Sequence, residues 1–113
     1  MKTRLFRCML RWSHGDTGEP CERPAWEIPG TGLCADKIGA AWTVSHLASG
    51  MSLMIVACRR AVIERVLVDL AGQVDWRMSA EEISLRFEEY WAAQRITARR
   101  ADFWDLLDEK LSP

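Results

Sequence analysis

The sequence lacks an apolar segment long enough to cross a bilayer. Its longest apolar run, Leu53–Cys58, is far shorter than the roughly 18–20 residues that a membrane helix needs. The N-terminal stretch, Met1–Arg7, is basic but has neither the apolar core nor the cleavage site of a secretory signal peptide. We therefore expect a cytoplasmic protein that has no membrane partner.

The sequence is also poor in the motifs that carry most enzyme chemistry. It contains no phosphate-binding loop, nucleophile elbow, zinc-protease helix or dinucleotide-binding fingerprint. We expect a non-enzymatic protein with four free thiols and with no metal or cofactor; an alternative is a metal site that joins Cys21 and Cys34 to His14. None of the histidines and cysteines shows zinc-knuckle spacing: they are His14, His46, Cys8, Cys21, Cys34 and Cys58.

What the sequence does have is enough apolar residues for one core. Its 113 residues, of which 49% are hydrophobic, fit a single domain that spans residues 1–113. The net charge of −1 hides an imbalance: residues 1–60 hold eight basic and five acidic side chains, whereas residues 61–113 hold seven and eleven. A total this close to neutral argues against a strongly electrostatic nucleic-acid binder.

The first half of the chain shows the alternation that is typical of β-strands. From Lys2 to Trp12, one side of the predicted strand is mainly apolar and the other side carries Arg7 and Arg11. Two further runs, Ala41–Leu47 and Met51–Cys58, are separated by a short connection that ends in glycine, which predicts a β-hairpin. Short extended segments are also expected at residues 25–28 and 33–37, and His46 is expected to be a hydrogen-bonded core histidine.

The second half of the chain shows helical spacing. Residues 60–71 carry an apolar arc that includes Val62, Val66 and Leu70, with Arg65 and Asp69 spaced for an ion pair. Ser79 begins a capping box that predicts the start of a further helix. We therefore expect an α+β fold: a small antiparallel sheet, with residues 1–58 mainly β, followed by two or three helices packed on one face, with residues 60–111 mainly α.

The segment after Ser79 carries two apolar stripes that do not coincide on a single straight helix. The first stripe includes Ile83, Phe87, Tyr90 and Trp91, and the second, which begins at Phe103, lies on nearly the opposite face. Two arrangements are consistent with this shift. Either the helix breaks near residues 96–99, with Thr97 as a new N-cap, or its end projects freely and presents the second stripe to another molecule.

The second stripe is the main candidate for a partner-binding site. Phe103, Trp104 and Leu107 share one face of the predicted helix, and Asp102, Asp105 and Glu109 share the other. The candidate site comprises the three apolar residues together with Asp105 and Asp108. Such a helix suits docking into an apolar groove with a basic rim, on a host protein complex or on a second copy of the chain. The alternative is that this stripe closes the protein's own core.

Nucleic-acid binding is the alternative function. Arg4, Arg7 and Arg11 project from one side of the first predicted strand, where they could contact phosphates, and Trp12 or Trp26 could stack on a base. Four arginines outside this strand could add to the contact: Arg59, Arg60, Arg99 and Arg100. The acidic second half would repel a polyanion unless it points away.

The hairpin carries a resemblance to known sequences. Residues 42–50, WTVSHLASG, are similar to the W-x-V-T/S-H-x-x-S/T-G hairpin of small phage and prophage proteins. In those proteins, as here over residues 28–71, a segment with Pro and Gly precedes the hairpin and an apolar strand and helix follow it. The resemblance implies a mobile-element origin, and small proteins of that origin, anti-CRISPR proteins among them, commonly bind and inhibit a host protein.

Overall fold

A computed structural model describes residues 5–13 and 16–111 of the chain. Within these residues five strands precede three helices, which confirms the predicted α+β order and the single face on which the helices pack. The strands are β1 (Phe6–Ser13), β2 (Pro20–Glu27), β3 (Leu33–Ile38), β4 (Ala41–His46) and β5 (Ser52–Val56). The helices are α1 (Arg60–Gln73), α2 (Ala80–Leu85) and α3 (Phe87–Leu111).

The sheet is an antiparallel meander in the order β1-β2-β3-β4-β5. The predicted β4–β5 hairpin is confirmed, but β2 begins at Pro20, well before the short strand expected at residues 25–28. Pro24 in β2 is opposite Met9 of β1, while β3 pairs with β2 only at Trp26 and Glu27. One side of β2 is therefore a free edge at Pro24, and a free edge tolerates a residue that has no N–H to donate.

The helices cover one face of the sheet and form the main core with it. Leu33, Ala35 and Val44 point from the sheet into this core, and the predicted apolar arc of α1 is buried against them. Helix α1 continues to Gln73, two residues beyond the predicted end, and Gly72 lies inside it. The end of the helix is closed by the Val74 N–H, which donates to the Leu70 carbonyl.

The opposite face of the sheet is curled over a second, smaller cluster. Leu10, Ala25 and Cys34 are buried there, packed against Trp12 and other partly buried side chains. The curl brings the β4–β5 turn close to β1. The approach is so close that a Cβ added to Gly50 would lie 2.5 Å from the Arg11 carbonyl oxygen. Gly50 has a φ of 75°, so glycine is required here both by the backbone conformation and by the close approach.

The alternation predicted for β1 is present, but both of its sides are covered: one side faces the helices and the other faces the smaller cluster. Leu5, just before the strand, belongs to the main core under the helices, and Arg7 lies on the same side. Leu10 and Trp12 belong to the smaller cluster on the opposite face. The basic side of β1 is therefore the side that faces the helices.

The helical segment after Ser79 is broken, but at Arg86 and not near residues 96–99. Arg86 has φ −118° and ψ 32°, which ends α2 after six residues, and α3 then runs unbroken for 25 residues. Thr97 is buried in the middle of α3 and caps nothing. The predicted cap at Ser79 is confirmed, since the Ser79 side chain accepts a hydrogen bond from the Glu82 N–H at 3.3 Å.

Candidate interaction surface

Helix α3 is held against α1 by a network of polar side chains centred on Asp69. The Asp69 carboxylate accepts hydrogen bonds from Thr97 Oγ1 at 2.7 Å, from Gln73 Nε2 at 3.0 Å and from Arg100 Nη1 at 2.6 Å. The predicted pair between Arg65 and Asp69 is wrong, because the Arg65 guanidinium lies 4.6 Å from the centre of the Trp104 ring. Asp69 therefore joins the two helices and does not stabilise α1 alone.

A second contact fixes the C-terminal part of α3 to the start of α1. Asp105 Oδ1 accepts the backbone N–H of Arg59 at 2.9 Å, and Asp108 Oδ2 lies 3.3 Å from Nη1 of the same arginine. Carboxylates at a helix N-terminus also interact favourably with the helix dipole. Both carboxylates that were included in the candidate partner-binding site are therefore engaged within the protein, at the start of α1.

The apolar residues of the predicted partner-binding stripe divide between inside and outside. Trp104 is partly buried against the main core, with Arg65 on its ring, so it does not form an exposed anchor. Phe103 and Leu107 do face outwards, with 60% and 38% of their surface exposed. Only these two of the five predicted partner-binding residues lie on the open side of α3.

The exposed surface of α3 carries a continuous row of which only the C-terminal part was identified from the sequence. Side chains four positions apart on a helix are neighbours, and every fourth residue from Phe87 to Leu111 is exposed. Each step turns by about 40° around the helix axis, so the row winds around the exposed surface of α3. The rings of Phe87 and Trp91 are stacked with their centres 6.2 Å apart, and the Arg95 guanidinium lies 6.0 Å from the Trp91 ring. We call this the α3 outer row; its members are Phe87, Trp91, Arg95, Arg99, Phe103, Leu107 and Leu111.

Phe87 and Trp91 are exposed, although the sequence pattern predicted that they would be buried. Both were expected to share a buried stripe with Ile83 and Tyr90, but only Ile83 and Tyr90 are buried. The buried side of α3 continues from Tyr90 through small and polar residues, Thr97 among them. Hydrophobic periodicity cannot detect a buried side that is made of small and polar residues. For this reason the two apolar stripes predicted a break in the middle of the helix that the structure does not contain.

The outer row has the composition of a docking surface. Its two ends are aromatic or aliphatic, its centre holds two arginines, and it includes no acidic residue. Groups of exposed apolar side chains, such as those at the two ends of the row, are unfavourable in water and are typical of sites that meet another surface. The row offers shape and charge for binding, and no group in it is placed for acid–base or nucleophilic chemistry.

The basic residues of β1 differ in what they contact. Arg4 lies outside the described residues. Arg11 is ion-paired with Glu22 of the neighbouring strand at 3.4 Å. Arg7 lies 5.0 Å from the centre of the Trp26 ring, and Arg60 of α1 lies 4.3 Å from the same ring. The structure thus brings two of the candidate arginines, Arg7 and Arg60, onto one tryptophan.

His46 is a structural residue, as expected from the sequence. Its ring is fully buried, with Nε2 2.8 Å from the Met78 carbonyl oxygen and Nδ1 2.7 Å from Ser49 Oγ. A carbonyl oxygen can only accept, so Nε2 carries a hydrogen, and in the neutral ring Nδ1 accepts from the Ser49 hydroxyl. The His and Ser of the hairpin motif therefore tie the β4–β5 turn to the segment between α1 and α2.

The four thiols are unpaired and are dispersed through the fold. Cys34 is opposite Glu27 at the end of β2, whereas Cys21 is six residues earlier on that strand, about 20 Å away. The alternative of a metal site that joins Cys21 and Cys34 is therefore wrong, and its third member, His14, lies outside the described residues. Within residues 5–13 and 16–111, no three His, Cys, Asp or Glu side chains converge on a metal position.

Residues 5–13 and 16–111 include no helix that is both long and apolar enough to span a membrane.

The curled face of the sheet leaves a hollow of about 220 Å³ between Trp12 and a set of polar side chains. Its one buried carboxylate, Asp36, is paired with Arg23 at 3.2 Å, so the charge is balanced within the protein. This hollow has no unpaired charged group to bind a ligand.

Trp104 and Phe103 are adjacent in sequence, but Trp104 packs against the main core and Phe103 faces outwards. We expect Trp104→Ala to lower the free energy of unfolding by about 2 kcal/mol, because it removes a partly buried ring from the main core. Phe103→Ala should change it by less than about 0.5 kcal/mol, because its ring is exposed. Urea denaturation of both variants measures this difference, and equal effects would contradict the assignment of the two faces.

Thiol reactivity should follow burial. Burial raises the pKa of Cys8 and Cys58 to about 11 and the pKa of Cys34 to about 12, which keeps these thiols protonated and unreactive near neutral pH. At about pH 8 we expect an aromatic disulfide reagent to modify Cys21 first and the other three slowly. Cys21→Ser should remove the fast phase, and a second fast-reacting thiol in the native protein would contradict the assignment.

Comparison of the chain with protein-family models, with curated proteins and with solved structures finds no match.

Proposed function

We propose that the protein is a non-enzymatic interaction module that binds another protein chain through the α3 outer row. The observation that carries this proposal is the exposure of every fourth residue along the 25 residues of α3, aromatic or aliphatic at both ends and cationic in the centre. An amphipathic helix that lays such a surface into a groove is a common mode of protein recognition.

The way α3 is held supports this function. Its inner side is fixed to α1 at two places, by Asp69 in the middle and by Arg59 at the C-terminal end. The row is therefore presented on a helix that is already ordered before binding. Pre-organisation of this kind lowers the entropy cost of association, so a larger part of the contact energy contributes to affinity.

The narrower hypothesis is that the bound chain belongs to a host machine that a mobile element inhibits. Support for it comes only from the similarity of the WTVSHLASG hairpin to phage and prophage proteins. In this chain the hairpin residues Trp42, Val44 and His46 are all buried, so the similarity concerns the scaffold. The identity of a partner would be determined by the exposed residues of the outer row.

A capture experiment tests the docking surface. Tagged protein is incubated with a bacterial lysate. Untagged copies of the chain are added as well, so that both lysate proteins and a second copy can be retained, and the retained proteins are compared between variants. We expect Phe103→Glu to abolish retention of the bound chain, because a carboxylate cannot be desolvated in an apolar contact without a partner. The fold should be unchanged, since Phe103 is largely exposed.

The matched control is Ile55→Glu, which introduces the same charge at an exposed apolar position on β5. It should leave retention at the level of the unmodified protein. The proposal is wrong if Phe103→Glu retains the same proteins as the unmodified chain, or if Ile55→Glu causes an equal loss. Thermal melting of both variants shows whether either change acts through unfolding.

A second candidate function, polyanion binding, is favoured by one specific contact. Arg7 and Arg60 both lie on the ring of Trp26, and neither has a carboxylate partner in the part of the chain that the structure describes. Two guanidinium groups on an aromatic ring could bind backbone phosphates of a nucleic acid. Arg11 contributes less to this surface, because Glu22 already pairs with it.

Binding of a labelled single-stranded oligonucleotide, followed by fluorescence anisotropy across a range of salt concentrations, tests this candidate. Arg60→Gln should weaken binding about fivefold and reduce the slope of log K against log salt by about one, as expected for one lost phosphate contact. Arg11→Gln is the control and should have a smaller effect. Binding that is independent of salt, or equally weakened by both changes, would contradict this function.

A further inference from the structure

We infer that the chain which occupies the open side of α3 is a second copy of this protein, paired antiparallel through α3. The inference rests on the proposed function, because two of its pairing positions, Arg99 and Phe103, belong to the α3 outer row and the other two lie beside it. It goes further by naming the occupant and its direction. Two identical patches that meet across a twofold axis must be complementary to themselves, and the open side of α3 meets this condition.

The apolar positions are self-complementary in the antiparallel direction. Ile96, Arg99, Phe103 and Leu106 follow one another at spacings of three, four and three, which places them along one side of the helix. All four are exposed. Reversing a second helix over this side puts Ile96 against Leu106 of the other copy, and Arg99 against the ring of Phe103. The first contact buries aliphatic surface and the second is a cation–π contact.

The charges beside these positions also match only when the direction is reversed. Arg95, Asp102 and Glu109 are seven residues apart on one flank of α3, and all three are exposed. In an antiparallel pair Arg95 faces Glu109 of the other copy, twice by symmetry. In a parallel pair this flank would face the opposite flank of the other copy, so Arg95 and Glu109 would not meet. In the antiparallel pair Asp102 lies near the twofold axis on this flank and meets its own copy, as Arg100 does on the other flank.

The open side of α3 leaves room for a second helix. The side that faces α1 carries the buried and hydrogen-bonded residues, and the four pairing positions lie away from it. Helix α3 is about 37 Å long and α1 about 21 Å, so α3 offers a full-length edge for pairing.

Sedimentation velocity of the full chain over a wide concentration range tests the inference. We expect a concentration-dependent dimer that Phe103→Glu reduces to monomer and Ile55→Glu leaves intact. Arg95→Glu and Glu109→Arg should each weaken the dimer about tenfold, because each replaces two attractive contacts by two repulsive ones. The double variant Arg95→Glu/Glu109→Arg should recover the original affinity to within about twofold. Asp102→Asn should strengthen the dimer.

Each other outcome overturns a defined part of the inference. A monomer at every concentration shows that the occupant is not a second copy; if Phe103→Glu still abolishes capture from the lysate, the proposed function stands without it. A dimer that resists Phe103→Glu shows that the interface lies elsewhere on the protein. A dimer whose affinity the double variant fails to restore excludes the antiparallel register. Circular dichroism of every variant confirms that the helices remain folded.

Discussion

The carboxylate of Asp69 is the contact on which the position of α3 depends. It is largely withdrawn from solvent and accepts hydrogen bonds from Thr97, Gln73 and Arg100, so a residue of α1 is joined directly to the middle of α3. A partly buried carboxylate without these donors would carry a large desolvation cost, whereas hydrogen bonds to a charged group are the stronger kind. The same network also fixes which side of α3 faces outwards, and therefore determines the composition of the outer row.

Much of the fold follows from patterns that the sequence displays openly. The β4–β5 hairpin, the apolar arc of α1 and the cap at Ser79 are each visible in a few residues, and the structure contains all three. The order of strands before helices then leads to an antiparallel sheet covered on one face. The position of Pro24 could not be predicted in this way. Pro24 is tolerated inside β2 because β3 pairs with β2 at only two positions and leaves the rest of that edge free, and this pairing is not visible in the sequence.

The candidate site was less predictable for a physical reason that particular residues make clear. The buried side of α3 contains Thr97, Gln94 and small residues such as Ala93 and Ala101, none of which produces a hydrophobic signal. The apolar residues that do produce the signal, Phe103 and Leu107, are on the open side. The apolar pattern therefore identified two residues, Phe103 and Leu107, that are exposed at the C-terminal end of α3. It could not show that Trp104, Asp105 and Asp108 contact Arg65 and Arg59, because these partners are distant in sequence.

Helix α3 consequently reverses the usual polarity of a surface helix. In most small domains a surface helix buries an apolar stripe and presents polar residues to water. Here the buried side is rich in small and hydrogen-bonding residues, and the open side carries Phe87, Trp91, Phe103 and Leu107. The polar network makes this orientation stable, since turning α3 over would bury Arg95 and Arg99 and deprive Asp69 of the donors that α3 supplies, Thr97 and Arg100. The apolar row is thus fixed on the outside by contacts on the inside. Its exposure is a consequence of how the fold is built, and a second surface placed against the row would remove apolar area from water without disturbing the network beneath it.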